Sequence, residues 1–305
     1  MQYHYKIKYA THNTYENPVN NALWQFLIEP KNNDSQFLET SNFRDSYNTL
    51  VSKSVNGYGF KTFRVTPKNQ ITDIIFEAEF SLIKNQVEVQ SQDSNLYSKD
   101  IIEINSDPFK IEYHSFLKDT ILTTLPSDKK NIFLFDDQKT TFENLKALNK
   151  WVFIFLYYTI GVTNNRTELK DLITNNKGVA KDFAHLFCAI ARQHNIPTRY
   201  VSGFLNQDNT YFGASEIHSW VECFVPNVGW VGFDPTNNMM ADFNHIKIAH
   251  GKDYNDCASL KGIIFSVGKN TTKYSVDVVC QEFIQDKSAS LNHISAYNII
   301  NKKAL

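Results

Sequence analysis

Short runs in which apolar and polar residues alternate dominate the first part of the chain, and a period of two puts every second side chain on one face of a strand. Met1 to Tyr9 alternates from the start, and Phe60 to Val65 and Ile74 to Leu82 do so again. The pattern predicts an antiparallel sheet packed on one face, a β-domain over residues 1–95. The polar stretch Gln90-Ser91-Gln92-Asp93-Ser94-Asn95 reads as a linker, and residues 96–140 read as a helical connection. Around residue 180 the period changes. Phe183, Leu186, Phe187, Ile190 and Ala191 return every three or four positions, which predicts a helix from Ala180 to Asn195, preceded by Gly178 and ended by Ile196-Pro197. Two runs rich in β-branched and aromatic residues, His218 to Val225 and Trp230 to Thr236, flank Pro226-Asn227-Val228-Gly229 and predict a hairpin. Ile263 to Val267 and Tyr274 to Val279 read as strands returning to the sheet of a core over residues 141–283, with 284–305 as an unassigned tail. The fold class expected is α+β.

Counting back from the hairpin turn brings His218 and Asp234 within two or three residues of being cross-strand partners, close enough for a carboxylate to orient an imidazole. Residue 180 falls at the N-terminus of the predicted helix, where a thiol would feel the positive end of the dipole and favour its thiolate. A thiol, a histidine and an aspartate in this relation form a catalytic triad, the histidine exchanging protons while the aspartate fixes its tautomer. The residue at 180 is alanine.

The chain resembles a bacterial transglutaminase-like protein of the cysteine-protease-related superfamily. That family carries Gly-Val-Cys-Arg-Asp-Phe-Ala-His-Leu, then Gly-Ile-Pro-Ala-Arg-Tyr-Val-Ser-Gly, then His-Ala-Trp-Val-Glu and Gly-Trp-x-x-x-Asp-Pro-Thr-Asn. Here the blocks are Gly178-Val179-Ala180-Lys181-Asp182-Phe183-Ala184-His185-Leu186, Asn195 to Gly203, His218 to Glu222 and Gly229 to Asn237. Weaker likenesses at Leu148 to Thr163, Ile246 to Tyr254, Tyr15 to Pro30 and Val55 to Leu82 extend it over about four-fifths of the chain. The resemblance implies a papain-like or transglutaminase-like core, in which a helix bearing the nucleophile packs on an antiparallel sheet behind an N-terminal antiparallel β-domain. It further implies acyl transfer at a peptide or glutamine amide through Cys-His-Asp, with Ala180 at the nucleophile position, His218 as base and Asp234 as orienter. Trp220 and Asp182 are the substrate or oxyanion candidates. Against this stand plainer readings: Trp220 and Trp230 as core or cleft-lining residues, Asp182 as a cap at the helix start, His185 as a structural histidine.

An alanine methyl cannot attack a carbonyl. Cys188 lies two turns along the same helix, roughly 12 Å away; Cys223 is at odd separation from His218 on one strand, and Cys257 and Cys280 carry no motif. The chain is therefore expected to be inactive as written, either by deliberate substitution, as is done to trap a substrate complex, or as a natural pseudoenzyme that binds a peptide or protein.

Composition narrows the partners. The 305 residues suit one large domain or two moderate ones, and 31 lysines and arginines against 32 acidic residues suggest no nucleic acid. Four cysteines without a close pair argue against a disulfide framework, the nine histidines show no metal-binding spacing, and no cofactor is implied. The N-terminus lacks the apolar run of a signal peptide, and Trp151 to Ile160 is half a membrane span. A cytoplasmic setting, away from membranes, is the expectation.

Overall fold

The computed structural model describes residues 1–86, 97–206, 211–265 and 267–283. The predicted linker at 90–95 and the tail at 284–305 lie outside the described residues. The strands of the first part are β1 (Gln2–Val19), β2 (Asn21–Phe26), β3 (Gln36–Asp45), β4 (Ser52–Val55), β5 (Lys61–Val65) and β6 (Ile71–Asn85). Helices α1 (Tyr97–Ile104), α2 (Asp107–Glu112), α3 (His114–Leu117) and α4 (Thr141–Phe155) follow, then β7 (Tyr157–Tyr158), α5 (Leu169–Asn175) and β8 (Lys177–Gly178). The remainder comprises α6 (Ala180–Gln193), β9 (Thr198–Leu205), β10 (His218–Val225), β11 (Gly229–Asp234), β12 (Met239–Met240), β13 (His245–Gly251), α7 (Tyr254–Cys257), β14 (Leu260–Phe265) and β15 (Asn270–Phe283).

The alternation of the first residues does what its period requires. Tyr5, Ile7 and Tyr9 of β1 are buried and lie opposite Leu82, Phe80 and Ala78 of β6, so each cross-strand pair contributes to one apolar face. The single sheet expected there is in fact two four-stranded sheets, ordered β15-β1-β6-β3 and β14-β2-β5-β4. Trp24, Phe26, Phe43, Phe63 and Phe76 pack between them, with ring centroids of successive partners 4.6–5.3 Å apart. The two late strands correct the sequence reading. β14 pairs with β2 and β15 pairs with β1, residue for residue from Gln2↔Phe283 to Tyr15↔Asn270, so both return to the N-terminal sheets rather than to the core.

The core sheet has the order β12-β11-β10-β9-β13, all antiparallel. Asn227 takes the left-handed conformation (φ 63°) in the predicted turn, and Val225 pairs with Gly229 to close the hairpin. Helix α6 packs on this sheet, and only Lys181 and Gln193 among its fourteen residues are not buried. It is a core helix covered on all sides, by the sheet and by α4 and α5, rather than the one-faced helix its periodicity suggests. Its buried Arg192 is paid in carbonyls, donating to Thr198 O, Lys118 O and Lys252 O and to Thr123 Oγ1. Among the described residues, no helix is long and apolar enough to cross a membrane.

Candidate active site

Antiparallel pairing brings the first residue of β10, the last of β11 and the first of β13 to one end of the core sheet. The β10–β11 register aligns Val221 with Phe233, and one further step sets Asp234 opposite Trp220, two residues from His218, as the hairpin count predicts. His218 Nε2 lies 2.8 Å from Asp234 Oδ2, and both side chains are fully buried.

Asp234 is held by several donors at once. Oδ2 accepts from His218, from Asn237 Nδ2 at 2.8 Å and from His245 Nε2 at 3.1 Å, while Oδ1 accepts from the backbone of Thr236 at 2.9 Å. The last is an Asx turn, the local reason an aspartate precedes Pro235-Thr236-Asn237. Burial alone would raise this carboxyl's pKa, but the charges and hydrogen bonds of His218 and His245 outweigh it and hold the group far below the usual range. With Nε2 engaged by Asp234, the other ring nitrogen of His218, Nδ1, is buried and has no partner among the described residues.

That nitrogen and the methyl at 180 border the same glycine. A Cβ built on Gly213 would stand 2.7 Å from His218 Nδ1 and 3.7 Å from the Ala180 methyl, so both flank one glycine backbone. Gly213 also sits at φ +80°, where glycine avoids strain, and any side chain there would fill the space between the two. Ala180 is the first residue of α6, as predicted, and lines a cavity of about 470 Å³.

Of the two further candidates, Trp220 stacks on His218 with ring centroids 6.4 Å apart. Asp182 is spent as a helix-start acceptor: Oδ2 takes the Val179 backbone N–H at 2.9 Å and the Thr163 hydroxyl at 2.6 Å, and Oδ1 takes Lys181 Nζ at 2.7 Å. Gly178 is glycine because a Cβ there would lie 2.8 Å from the Asp182 side chain. Trp220 is buried edge-on to His245 with ring centroids 5.2 Å apart. Neither Asp182 nor Trp220 lines the cavity. His185 is buried and accepts the Tyr254 backbone N–H at Nε2, and burial first, then Lys181 and Arg192, push its pKa down to about 3.

His245 escaped the sequence reading. It touches Asp234 from β13, a strand with no motif in common with the hairpin. Burial would lower its pKa, yet Asp234 and Asp242, the latter 3.2 Å from Nδ1, raise it overall. The donor atoms of His218, Asp234 and His245 lie within 4.8 Å of one another, a spacing a metal ion could share. Their direct hydrogen bonds satisfy the two Nε2 atoms and the shared carboxylate oxygen without one. Cys257, set aside in the sequence for want of a motif, lines the same cavity as Ala180. Its thiol donates to Tyr200 O at 3.8 Å, and burial holds it protonated, well above the ordinary thiol pKa.

Residues 133–235 match the transglutaminase-like superfamily core. An uncharacterized protein of Mycobacterium tuberculosis is 32% identical over 147 residues, 45% of this chain and 47% of that protein. One of Mycobacterium leprae is 33% identical over 138 residues, 43% and 48% respectively. The chain thus spans about half the length of the curated relatives it matches. The crystal structure of a candidate cysteine protease from Cytophaga hutchinsonii superposes with a TM-score of 0.72 over 94% of this chain and 92% of the other, at 18% identity, a likeness of fold.

Proposed function

Because the chain is a transglutaminase-like protein, we propose that it is the scaffold of a thiol-dependent acyl-transfer enzyme acting on peptide or glutamine amides, disarmed by Ala180. The observation that carries this reading is the unpartnered Nδ1 of His218, which borders the same glycine, Gly213, as the methyl of residue 180. With cysteine at 180, Nδ1 takes the thiol proton and the sulfur attacks the amide carbon. The N–H groups at the start of α6, which have no acceptor within the helix, face the developing oxyanion. The imidazolium then gives its proton to the departing amine, leaving an acyl-thioester that water or a second amine resolves with His218 as base. Asp234 keeps the proton on Nε2 throughout.

The test is Ala180→Cys. Its new thiol should react with iodoacetamide far faster than Cys188, which burial pushes up to about 11, or than Cys257 in the same cavity. The variant should also acquire amide turnover that needs His218, while the chain as it stands should have none. Alkylation no faster than at Cys188, read by peptide mass spectrometry, would end this assignment.

A second reading rests on Ala180 itself: a cleft kept intact without its nucleophile is a binding module for peptides. In either case four free cysteines, three of them buried, suit a reducing, cytoplasmic compartment.

A further inference from the structure

The cavity at Ala180 is not built by the core alone. Tyr9 and Thr11 of β1 and Thr272 and Tyr274 of β15 form part of its wall, so the N-terminal sheet supplies one side of the cleft. The Thr11 hydroxyl is buried, with the residue 2% exposed, and has no partner among the described residues, an unspent hydrogen-bonding position on that wall.

The charges lining the cavity do not balance. Its cation, Lys181, is neutralised by Asp182 at 2.7 Å and only 11% exposed. Its acid, Glu216, stands two residues before His218 and makes no ion pair among the described residues. Tyr158 and Tyr274 line the same cavity, and burial first, then the Glu216 carboxylate, raises the pKa of both phenols. A carboxylate that lines a cavity without a counter-ion attracts a cation through its charge.

We infer that the cleft takes an amide substrate bearing a primary ammonium group, held by Glu216 in the cavity it shares with Ala180, Tyr158 and Tyr274, with its amide directed at residue 180 and the N-terminal sheet closing the far wall. The ammonium belongs either to a free peptide amino terminus or to a lysine side chain. Both present the same chemistry to the site. The inference rests on residue 180 as the reacting position and adds the class of substrate.

Ala180 makes the test direct, since ligands stay uncleaved. The chain as it stands is titrated calorimetrically with three versions of one glutaminyl peptide: free amino terminus, N-acetylated, and N-acetylated with an added lysine. At least one ammonium-bearing peptide should bind about fivefold tighter than the neutral one, the size of a part-exposed ion pair. Which of the two gains names the source. The preference should weaken in high salt and disappear in Glu216→Gln, and Thr11→Val should weaken all three peptides. Equal binding of the acetylated peptide, no binding by any, or a preference that survives Glu216→Gln overturns the inference. Unchanged affinities in Thr11→Val remove the N-terminal wall from it. Alkylation of Ala180→Cys is scored separately: a fast thiol without ammonium preference sinks only this inference, and ammonium preference with a slow thiol sinks only the acyl-transfer reading.

Discussion

His245 decides more about the site than its absence from any motif suggests. Through Nε2 it is the second imidazole on Asp234 Oδ2, and through Nδ1 it meets Asp242, so it sits between two carboxylates in a buried place. Hydrogen bonds to charged groups contribute roughly 1.5–3 kcal/mol, and removing one partner strands the other. His245→Leu should therefore lower unfolding free energy by about that amount, while His245→Gln, which keeps an N–H for Asp234, should lose less than half of it. Urea unfolding of the two variants settles the comparison, and equal losses would mean packing, not hydrogen bonding, is what His245 provides. The sign of its pH dependence follows from its raised pKa: the added stability is complete below the ordinary histidine value and fades as pH climbs through the folded one. The His218–Asp234 pair and the place of residue 180 at a helix start were legible because each lies in a short block of recognisable order. The contact of His245 with Asp234 and the place of Cys257 on the cavity were not, because each arrives from another strand or helix.

At the scale of elements, β9, β10 and β13 carry a cross-strand charge cluster. Glu222 of β10 accepts from Arg199 of β9 at 2.5 Å and from Lys247 of β13 at 2.6 Å, and Arg199 stacks 4.0 Å over the Trp230 ring. Burial would raise Glu222, but Lys247 and Arg199 bring it down to about 2. Lys247 itself is pulled down to about 8, because burial and the neighbouring Arg199 cost its charge more than Glu222 returns. The Glu222 contribution to stability should therefore be complete above its unfolded pKa of about 4.3 and be lost as pH falls toward 2. Glu222→Gln leaves two cations facing each other with little solvent, a loss of about 3–5 kcal/mol for a broken buried pair. Thermal melts from pH 7 down to pH 2.5 should show the variant and the parent converging in acid; parallel curves would contradict the assignment. The hairpin between β10 and β11 was readable from its turn residues. The cluster was not, since Lys247 reaches Glu222 across β9, which lies between their strands.

The whole molecule is laced by its C-terminal strands. β15 pairs with β1 along fourteen residues, and β14 pairs with β2, so each N-terminal sheet is completed by chain that follows the core. The N-terminal sheets brace the site in turn: Lys84 of β6 donates to the His245 carbonyl, Tyr5 of β1 donates to Phe243 O at 2.9 Å, and Gln36 of β3 exchanges hydrogen bonds with the Lys247 backbone. Truncation after Ala258 would leave β1 and β2 as long unpaired edges that template aggregation. The truncated chain should be less soluble and should lose cooperative unfolding, followed by light scattering and circular dichroism. A soluble truncated chain with the parent's melting temperature would show the late strands to be dispensable.

Local periodicity and short-range turn chemistry determined the strands of the first part, helix α6 with residue 180 at its start, and the hairpin that joins His218 to Asp234. These depend on neighbours a few positions apart, which is what a linear pattern records. Tertiary structure alone decided that the late strands complete the N-terminal sheets, that His245 shares Asp234, and that Tyr9, Thr11 and Tyr274 wall the cleft. Strand partners are chosen by burial of whole faces against one another, and that choice leaves no periodic mark on either strand.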